Sequence, residues 1–214
     1  MSTDEPVKTA KPRRRPGLER VLVTADRLFY EGGIHATGVD LIAAEAGVSK
    51  ATMYTYFATK DDLVAQYLRG RSDAWQTHVT EQLDARGGSP LERALLVFDL
   101  LGEWFESADF NGCPFINAEA ESSHDSPGHQ VNLGHRAWVR ELFADLLQPL
   151  GVTSRDDQLI VQLATLYDGT MTSAHAEPGL PWAPAARDAA RTLINSFDAD
   201  PTTSSPEANN RIAK

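Results

Sequence analysis

The chain has 214 residues, of which 42% are hydrophobic and 23% charged, and its formal net charge is −10. This length can bury a sizeable core as one or two domains, and the composition is typical of a globular protein. No apolar run approaches the length of a membrane span, the single Cys113 excludes an internal disulfide, and the first residues lack the apolar segment of a secretory signal. We therefore expect a cytoplasmic protein.

The acidic charge is distributed unevenly along the chain. Residues 1–60 hold nine Lys and Arg against seven Asp and Glu, a balance of +2, whereas residues 61–214 hold eleven against twenty-three, a balance of −12. A nucleic-acid partner is therefore compatible with the N-terminal part, although the whole chain is acidic.

Residues 1–16 are polar and contain prolines, so they cannot form a core, and we predict a disordered basic arm. Such an arm either reaches DNA phosphates or a minor groove, or is a solvated tail, and the sequence leaves both possibilities open. Its cations are Lys8, Lys11, Arg13, Arg14 and Arg15.

The first predicted helix runs from Leu18 to Glu31 and is amphipathic. Its apolar residues recur at helical spacing on one side, and Gly32 and Gly33 end it. Because this helix cannot bury its apolar side alone, we expect it to pack on the helices that follow.

The stretch after Gly33 has the pattern of a helix-turn-helix. Val39 to Ala46 reads as a short helix, and Thr37 with Asp40 is predicted to form a capping box at its start. Gly47 then ends this helix and allows the tight turn that sets two helices at a steep angle.

The second helix of this pattern, Lys50 to Phe57 with Ser49 as its cap, has a surface suited to DNA. No carboxylate occurs between Ser49 and Lys60, and the outer face offers hydrogen-bond donors for phosphates and base edges. The alternative is an ordinary solvated helix. We expect Lys50 and Thr52 to contact bases and the tyrosines with Lys60 to contact phosphates, within a DNA-binding set of Thr37, Ser49, Lys50, Ala51, Thr52, Tyr54, Tyr56 and Lys60.

This stretch resembles the DNA-binding domain of TetR-family transcriptional regulators. Two positions differ from the common pattern: Ala51, where the family often has glycine, and Tyr56, where histidine is frequent. The resemblance implies a dimeric repressor that a small ligand releases from DNA. The matching residues are Phe29, Gly33, Thr37, Val39, Ile42, Ala43, Ala46, Gly47, Val48, Ser49, Lys50, Thr52, Tyr54, Phe57, Lys60 and Leu63.

The rest of the chain is predicted to be helical, since no alternating Val/Ile/Thr-rich run is bounded by hairpin turns. We expect one helix to be interrupted or frayed near its start by Gly128 and Gly134. The helices are predicted at Lys60–Leu83, Leu91–Ser107, a short segment after Pro114, Ser126–Leu150, Ser154–His175 and Pro184–Phe197.

The predicted fold is therefore all-α, with a three-helix DNA-binding domain at 17–60, a larger helical effector-binding and dimerisation domain at 61–197, and a disordered tail at 198–214. Palindromic operator DNA requires a two-fold dimer, and we place its interface on the last two helices. Small residues there allow close approach, and Leu193, Ile194 and Phe197 are expected to need a partner's cover.

The alternative class is a helical enzyme or metal-binding bundle. Glu121 and His124 have the Glu-x-x-His spacing of di-iron bundles, but a second copy is absent from the sequence. No serine or cysteine has a nucleophile motif around it, and Cys113 fits a small buried hydrophobe better than a redox sensor. We expect no catalytic site, no metal and no cofactor.

The larger domain is rich in aromatic residues, and a few polar residues lie among them. Apolar walls with a few polar groups are how small-molecule sites are built, so we expect an unidentified, largely apolar effector. Its predicted contacts are Phe98, Phe105, Phe115, Asn117, Glu121, Trp138 and Tyr167.

Overall fold

A computed structural model describes residues 16–198 of the chain. This part contains nine α-helices and no β-strand, so the all-α prediction is confirmed, and none of these helices is long and apolar enough to cross a membrane. Most of the predicted arm and tail lies outside the described residues, and the domain boundaries stay a prediction. The helices are α1 (Pro16–Gly32), α2 (Val39–Glu45), α3 (Lys50–Tyr56), α4 (Lys60–Arg86), α5 (Pro90–Phe105), α6 (Pro114–Glu121), α7 (Pro127–Leu147), α8 (Gln158–Ala176) and α9 (Trp182–Asp198).

Helices α1, α2 and α3 share one small core, because each contributes fully buried apolar side chains such as Ala25, Ile42 and Met53. The turn between α2 and α3 follows the prediction. Gly47 has a φ of +63°, a left-handed conformation that favours glycine. Ser49 caps α3 by accepting a hydrogen bond from the backbone N–H of Thr52 at 3.0 Å.

The predicted capping box at α2 is wrong. The N-cap is Gly38, which has no side chain to bond, and Thr37 is 3% exposed. The Thr37 hydroxyl donates to the carbonyls of Gly33, at 2.8 Å, and Leu28, at 3.1 Å. These carbonyls belong to the last turn of α1 and the residue after it, so Thr37 stabilises the end of α1 rather than the start of α2.

The larger helical layer is built around α5 and α7. Phe98 and Phe143 are fully buried, with ring centroids 5.8 Å apart, and α4 packs mainly on α7 while α9 packs on α5 and α8. A methyl group on Gly102 would lie 3.1 Å from the Cβ of Ala183, so a glycine is what lets α5 and α9 approach closely.

Several predicted boundaries shift for local reasons. Helix α7 is continuous through Gly128 and Gly134, with Ser126 as its N-cap and Pro127 in its first turn, so the expected interruption or fraying near its start is absent. Helix α8 begins later than predicted, after Asp157, whose side chain accepts from the N–H of Leu159 at 3.0 Å. Helix α4 extends beyond Leu83 to Arg86.

Candidate functional site

Helix α3 presents its outer face to solvent. Lys50, Ala51, Tyr54 and Thr55 are exposed, Thr52 is half-buried, and α3 carries no carboxylate. The Lys50 ammonium is 2.7 Å from Asp40 of α2, and this hydrogen-bonded pair raises the pKa of Lys50. The surface therefore offers donors for DNA, although the charge of Lys50 is shared with a carboxylate in the free protein.

Three of the predicted DNA-binding residues are less exposed than the sequence indicated. Thr37 is buried, as described above, so its side chain faces the protein interior. Tyr56 is half-buried, and its hydroxyl lies 2.7 Å from where a Cβ on Gly17 would stand, against the start of α1. The Lys60 ammonium donates to the carbonyl of Ile34 at 2.5 Å, which leaves two of its N–H groups for other acceptors.

Arg20 on α1 fixes the turn between α2 and α3 and was not singled out from the sequence. Its Nε donates to the carbonyl of Ala46 at 2.8 Å. This bond satisfies a carbonyl at the end of α2, where no intrahelical donor is available. This role of Arg20 is visible only in the folded structure, because Arg20 and Ala46 are 26 positions apart and share no sequence motif.

A cavity of about 400 Å³ lies among α4, α5, α7, α8 and the start of α6. It is lined by both apolar and polar side chains, and this size and lining are within the usual range for small-molecule sites. The apolar wall includes Trp75, Leu100, Trp104, Phe115, Tyr167 and Met171, and the polar groups include Arg71, His78, Glu103 and His135.

Of the predicted effector residues, Phe115 and Tyr167 line this cavity and the other five do not. Phe98 is packed against Phe143 in the core, and Phe105 packs against Phe110, with tilted rings whose centroids are 4.8 Å apart, outside the cavity wall. On α5 the residues that line the cavity are Leu100, Glu103 and Trp104, which are spaced three and four residues apart on one side of the helix. The spacing of aromatic residues alone did not reveal which side of α5 points to it.

Asn117, Glu121 and Trp138 also lie away from the cavity. The Asn117 amide donates to the carbonyl of Asn111 at 3.0 Å. The Glu121 carboxylate accepts from two backbone N–H groups in the loop between α1 and α2. Trp138 packs beside His135, with ring centroids 5.6 Å apart. These residues therefore have structural partners in place of the predicted ligand contacts.

The cavity contains one buried donor without a satisfactory partner. The indole Nε1 of Trp75 is buried and makes no hydrogen bond of good geometry, although it interacts with the Tyr167 hydroxyl. His135 stacks on Phe115 with centroids 3.7 Å apart, and burial lowers the pKa of His135 to about 4. At neutral pH this part of the wall therefore offers a neutral imidazole, and the indole N–H of Trp75 lies beside the Tyr167 hydroxyl.

Arg71 joins the cavity to the DNA-binding helices. It lines the cavity, and its guanidinium makes a two-pronged pair with Asp26 of α1, with Nε–Oδ1 at 2.6 Å and Nη2–Oδ2 at 2.8 Å. The same guanidinium lies 4.0 Å above the centre of the Tyr30 ring. A ligand that displaced Arg71 would therefore act directly on α1.

A second connection runs through the segment before and within α6. The Tyr30 hydroxyl donates to the carbonyl of Gly112 at 2.9 Å and accepts from the N–H of Asn111 at 2.8 Å. Gly112 immediately precedes Cys113, which lines the cavity. Two hydrogen bonds therefore tie α1 to the backbone directly before a residue of the cavity wall.

A third connection is made by Glu121 at the end of α6. Its carboxylate accepts from the N–H groups of Ile34, at 3.1 Å, and His35, at 2.6 Å. Gly33 has a φ of +84°, and a Cβ there would stand 3.1 Å from Glu121 Oε1. The end of α6 is thus held against the loop between α1 and α2.

We predict that Cys113 reacts slowly with thiol reagents in the folded protein. Burial raises the pKa of the Cys113 thiol from 9.0 to about 11, so below pH 9 its thiolate is about 100-fold scarcer than that of an ordinary cysteine. Iodoacetamide labelling at pH 8, followed by mass spectrometry, should be at least that much slower in native protein than in urea. Comparable rates in the two states would contradict the buried, protonated thiol.

Comparison with known proteins agrees with this geometry. Residues 21–67 match the family described as "Bacterial regulatory proteins, tetR family". The crystal structure of SCO4454, a TetR-family transcriptional regulator from Streptomyces coelicolor, is 28% identical, with 89% of this chain and 97% of that one aligned and a TM-score of 0.72. That alignment includes the larger helical domain as well as α1–α3.

Two further relatives carry information about function. The HTH-type transcriptional regulator HbdR of Aromatoleum sp. (strain CIB) is 32% identical over 44% of this chain, and the match spans only 42% of that protein's length. Thermus thermophilus FadR, a TetR-family transcriptional repressor solved in complex with lauroyl-CoA, is 25% identical, with 84% of this chain and 93% of that one aligned and a TM-score of 0.59.

Proposed function

This chain belongs to the TetR family of bacterial transcriptional regulators, and we propose that it is a repressor released from a palindromic operator by a small, largely apolar molecule. The observation that carries this proposal is Arg71, which lines the cavity and is bonded to Asp26 of α1. A molecule entering the cavity meets a side chain that holds the DNA-binding helices. The named relatives are regulators, which favours this function over the helical enzyme.

In this proposal α3 enters a major groove of the operator. Lys50 and Thr52 contact base edges near the start of α3, while Tyr54, Tyr56 and Lys60 contact phosphates. The exposure of Lys50 and Tyr54 supports these roles, and the Lys50–Asp40 pair must open or be shared when the ammonium meets DNA. Ser49 and Ala51 stand at the end of α3 that approaches the groove, and Thr37 acts from inside by fixing the end of α1.

We propose that the operator is bound by a homodimer formed through α8 and α9. Val161 on α8 is 48% exposed, and nothing lies within 4 Å of a Cβ placed on Gly169, so this face can accept a partner helix. Leu193 on α9 is half-buried and available for the interface. Ile194 is only 1% exposed in a single chain, so the expectation that it needs a partner's cover is wrong.

Replacing Leu193 by glutamate should weaken the dimer. The carboxylate would be buried without a cation in the interface, and such unpaired charges typically cost about 3–5 kcal/mol. Sedimentation should show monomers at concentrations where the natural protein is dimeric. Leu133→Glu on α7 is the matched control, because Leu133 is an exposed leucine outside α8 and α9. A folded, fully dimeric Leu193→Glu protein would contradict this interface.

The effector in this proposal has an apolar body and a polar end. The Trp75, Trp104, Phe115 and Met171 side chains suit an apolar body, and Arg71, His78 and Glu103 can orient a polar end. Lauroyl-CoA, found with FadR, combines these two features and is a reasonable first compound to test. The ligand must bind the low-affinity conformation better than the DNA-bound one, because equal binding shifts nothing.

A screen of aromatic and lipophilic compounds by thermal shift, followed by operator release, tests the proposal. Ligand coupling of about 1–3 kcal/mol would lower operator affinity about 5- to 150-fold. Compounds that raise the melting temperature should therefore also weaken DNA binding. If a broad set of stabilising compounds never weakens DNA binding, the larger domain is a dimerisation platform and the effector part of the proposal fails.

A further inference from the structure

Three potential metal ligands meet where α6 ends and α7 begins. Glu119 lies in α6, His124 in the connection between the helices, and His129 in the first turns of α7. Their nearest ligand atoms all lie within 4.8 Å of one another. Glu119 Oε1 is 2.8 Å from His129 Nδ1 and 3.8 Å from His124 Nε2.

We propose that Glu119, His124 and His129 bind one divalent transition-metal ion, with Zn²⁺ the best match. Two imidazoles and one carboxylate are a ligand set that zinc uses, with metal–ligand bonds of about 2.0–2.2 Å. In a tetrahedron with such bonds the ligand atoms are about 3.3 Å apart. The two separations, 2.8 and 3.8 Å, lie on either side of this value. The shorter one is a hydrogen bond from His129 Nδ1 to Glu119 in the metal-free protein, so the ion replaces this proton and small side-chain rotations complete the site.

The surroundings orient two of the three ligands in advance. Asn132, which is buried, donates its amide Nδ2 to Glu119 Oε2 at 2.6 Å and leaves Oε1 facing the histidines. The backbone N–H of His129 donates to Ser126 Oγ at 3.1 Å, which fixes the start of α7. Hydrogen-bonding partners of this kind orient the side chains that coordinate the ion at metal sites.

The third ligand leaves room for solvent. The His124 side chain is 88% exposed, and its ring lies 5.0 Å from that of His129 at an angle of 78°. The site is therefore open on the solvent side, where a water molecule can take the fourth position. An ion can reach it without any movement of the helices.

The metal pattern considered and rejected from the sequence contained a different acid, so this proposal departs from the expectation of no metal. The Glu-x-x-His spacing pairs Glu121 with His124, but Glu121 turns toward the loop after α1 and bonds Ile34 and His35 there. Glu119, two residues earlier in α6, is the acid that lies beside His124 and His129. The resulting spacing of five residues between successive ligands matches no common helical motif, so the cluster is visible only in the fold.

The test uses the full chain without a histidine tag, stripped with a chelator and titrated with Zn²⁺ by calorimetry and with Co²⁺ by visible absorption. We expect one ion per chain, a dissociation constant of about 1 μM or lower, and the absorption of a four-coordinate Co²⁺ site. His124→Ala and Glu119→Gln should each weaken Zn²⁺ binding at least about tenfold. His175→Ala, an exposed histidine outside the cluster, should bind as the natural protein does.

His124→Ala is the more informative variant because the His124 side chain is exposed and its removal leaves the packing intact. Without metal, the melting curves of His124→Ala and the natural protein should therefore coincide. Absence of saturable Zn²⁺ binding would overturn the proposal. Binding that is unchanged in both His124→Ala and Glu119→Gln would overturn it equally. Neither result depends on DNA binding, so the metal site and the repressor function stand or fall separately.

Discussion

Replacing Ala51 by glutamate is expected to lower operator affinity about 100-fold or more while leaving the fold intact. Ala51 is exposed near the start of α3, and the chain carries no carboxylate from there to Lys60. A carboxylate at position 51 would repel the DNA phosphates, and an ionised carboxylate has no N–H or O–H group to donate to them. A loss of about 1.4 kcal/mol per half-site, comparable to one base contact, becomes about 100-fold when a dimer reads two half-sites.

Ala85→Glu is the control for this variant. Ala85 is also an exposed helical alanine, in the last turn of α4, and the 27 residues of α4 separate it from Lys60 by about 40 Å. Fluorescence anisotropy with a selected operator should show unchanged affinity for Ala85→Glu. If Ala51→Glu bound as tightly as the natural protein, α3 would not be the helix in the groove.

Replacing Ala74 by tryptophan is expected to make the repressor insensitive to its effector. Ala74 lies on α4 and lines the cavity, yet it is exposed, so an indole can enter the space without repacking the core. A steric conflict between the indole and the ligand, worth about 1–3 kcal/mol, would raise the effector concentration needed for operator release about 5- to 150-fold. Operator affinity without effector should stay unchanged, because α3 is untouched.

Ala85→Trp supplies the matched substitution on the same helix outside the cavity. Operator release should be titrated for both variants with a compound identified by the thermal-shift screen. The natural protein and Ala85→Trp should release the operator at the same compound concentration, whereas Ala74→Trp should require a higher one. Release of all three at the same concentration would mean that the effector binds elsewhere.

The parts of the fold that the sequence predicted well depend on local physics. The Gly47 turn and the Ser49 cap are set by residues within a few positions, and both occur as expected. The predicted Thr37 cap does not form because the Thr37 hydroxyl donates to other acceptors, the carbonyls of Leu28 in α1 and of Gly33 just after it. A short motif cannot show which of two nearby helix ends will use such a group.

The cavity was harder to predict, because its wall depends on how helices rotate against each other. Phe98 and Trp104 are both aromatic residues of α5, but they lie on different sides of the helix, and only Trp104 lines the cavity. Arg71 was not singled out from the sequence as a functional residue, and its pairing with Asp26 joins residues 45 positions apart. Contacts at such separations leave no periodic signal in one sequence.

The central claim, that this chain reads a two-fold DNA site through α3, is tested most directly by selecting bound duplexes from a random DNA library. We expect an enriched palindrome with half-sites about one helical turn apart, or a multiple of that distance, bound by two chains. The Ala51→Glu protein should fail to enrich the same sequence. A recovered pool indistinguishable from the starting library, or a site without two-fold symmetry bound by one chain, would mean that the chain does not read a two-fold DNA site through α3.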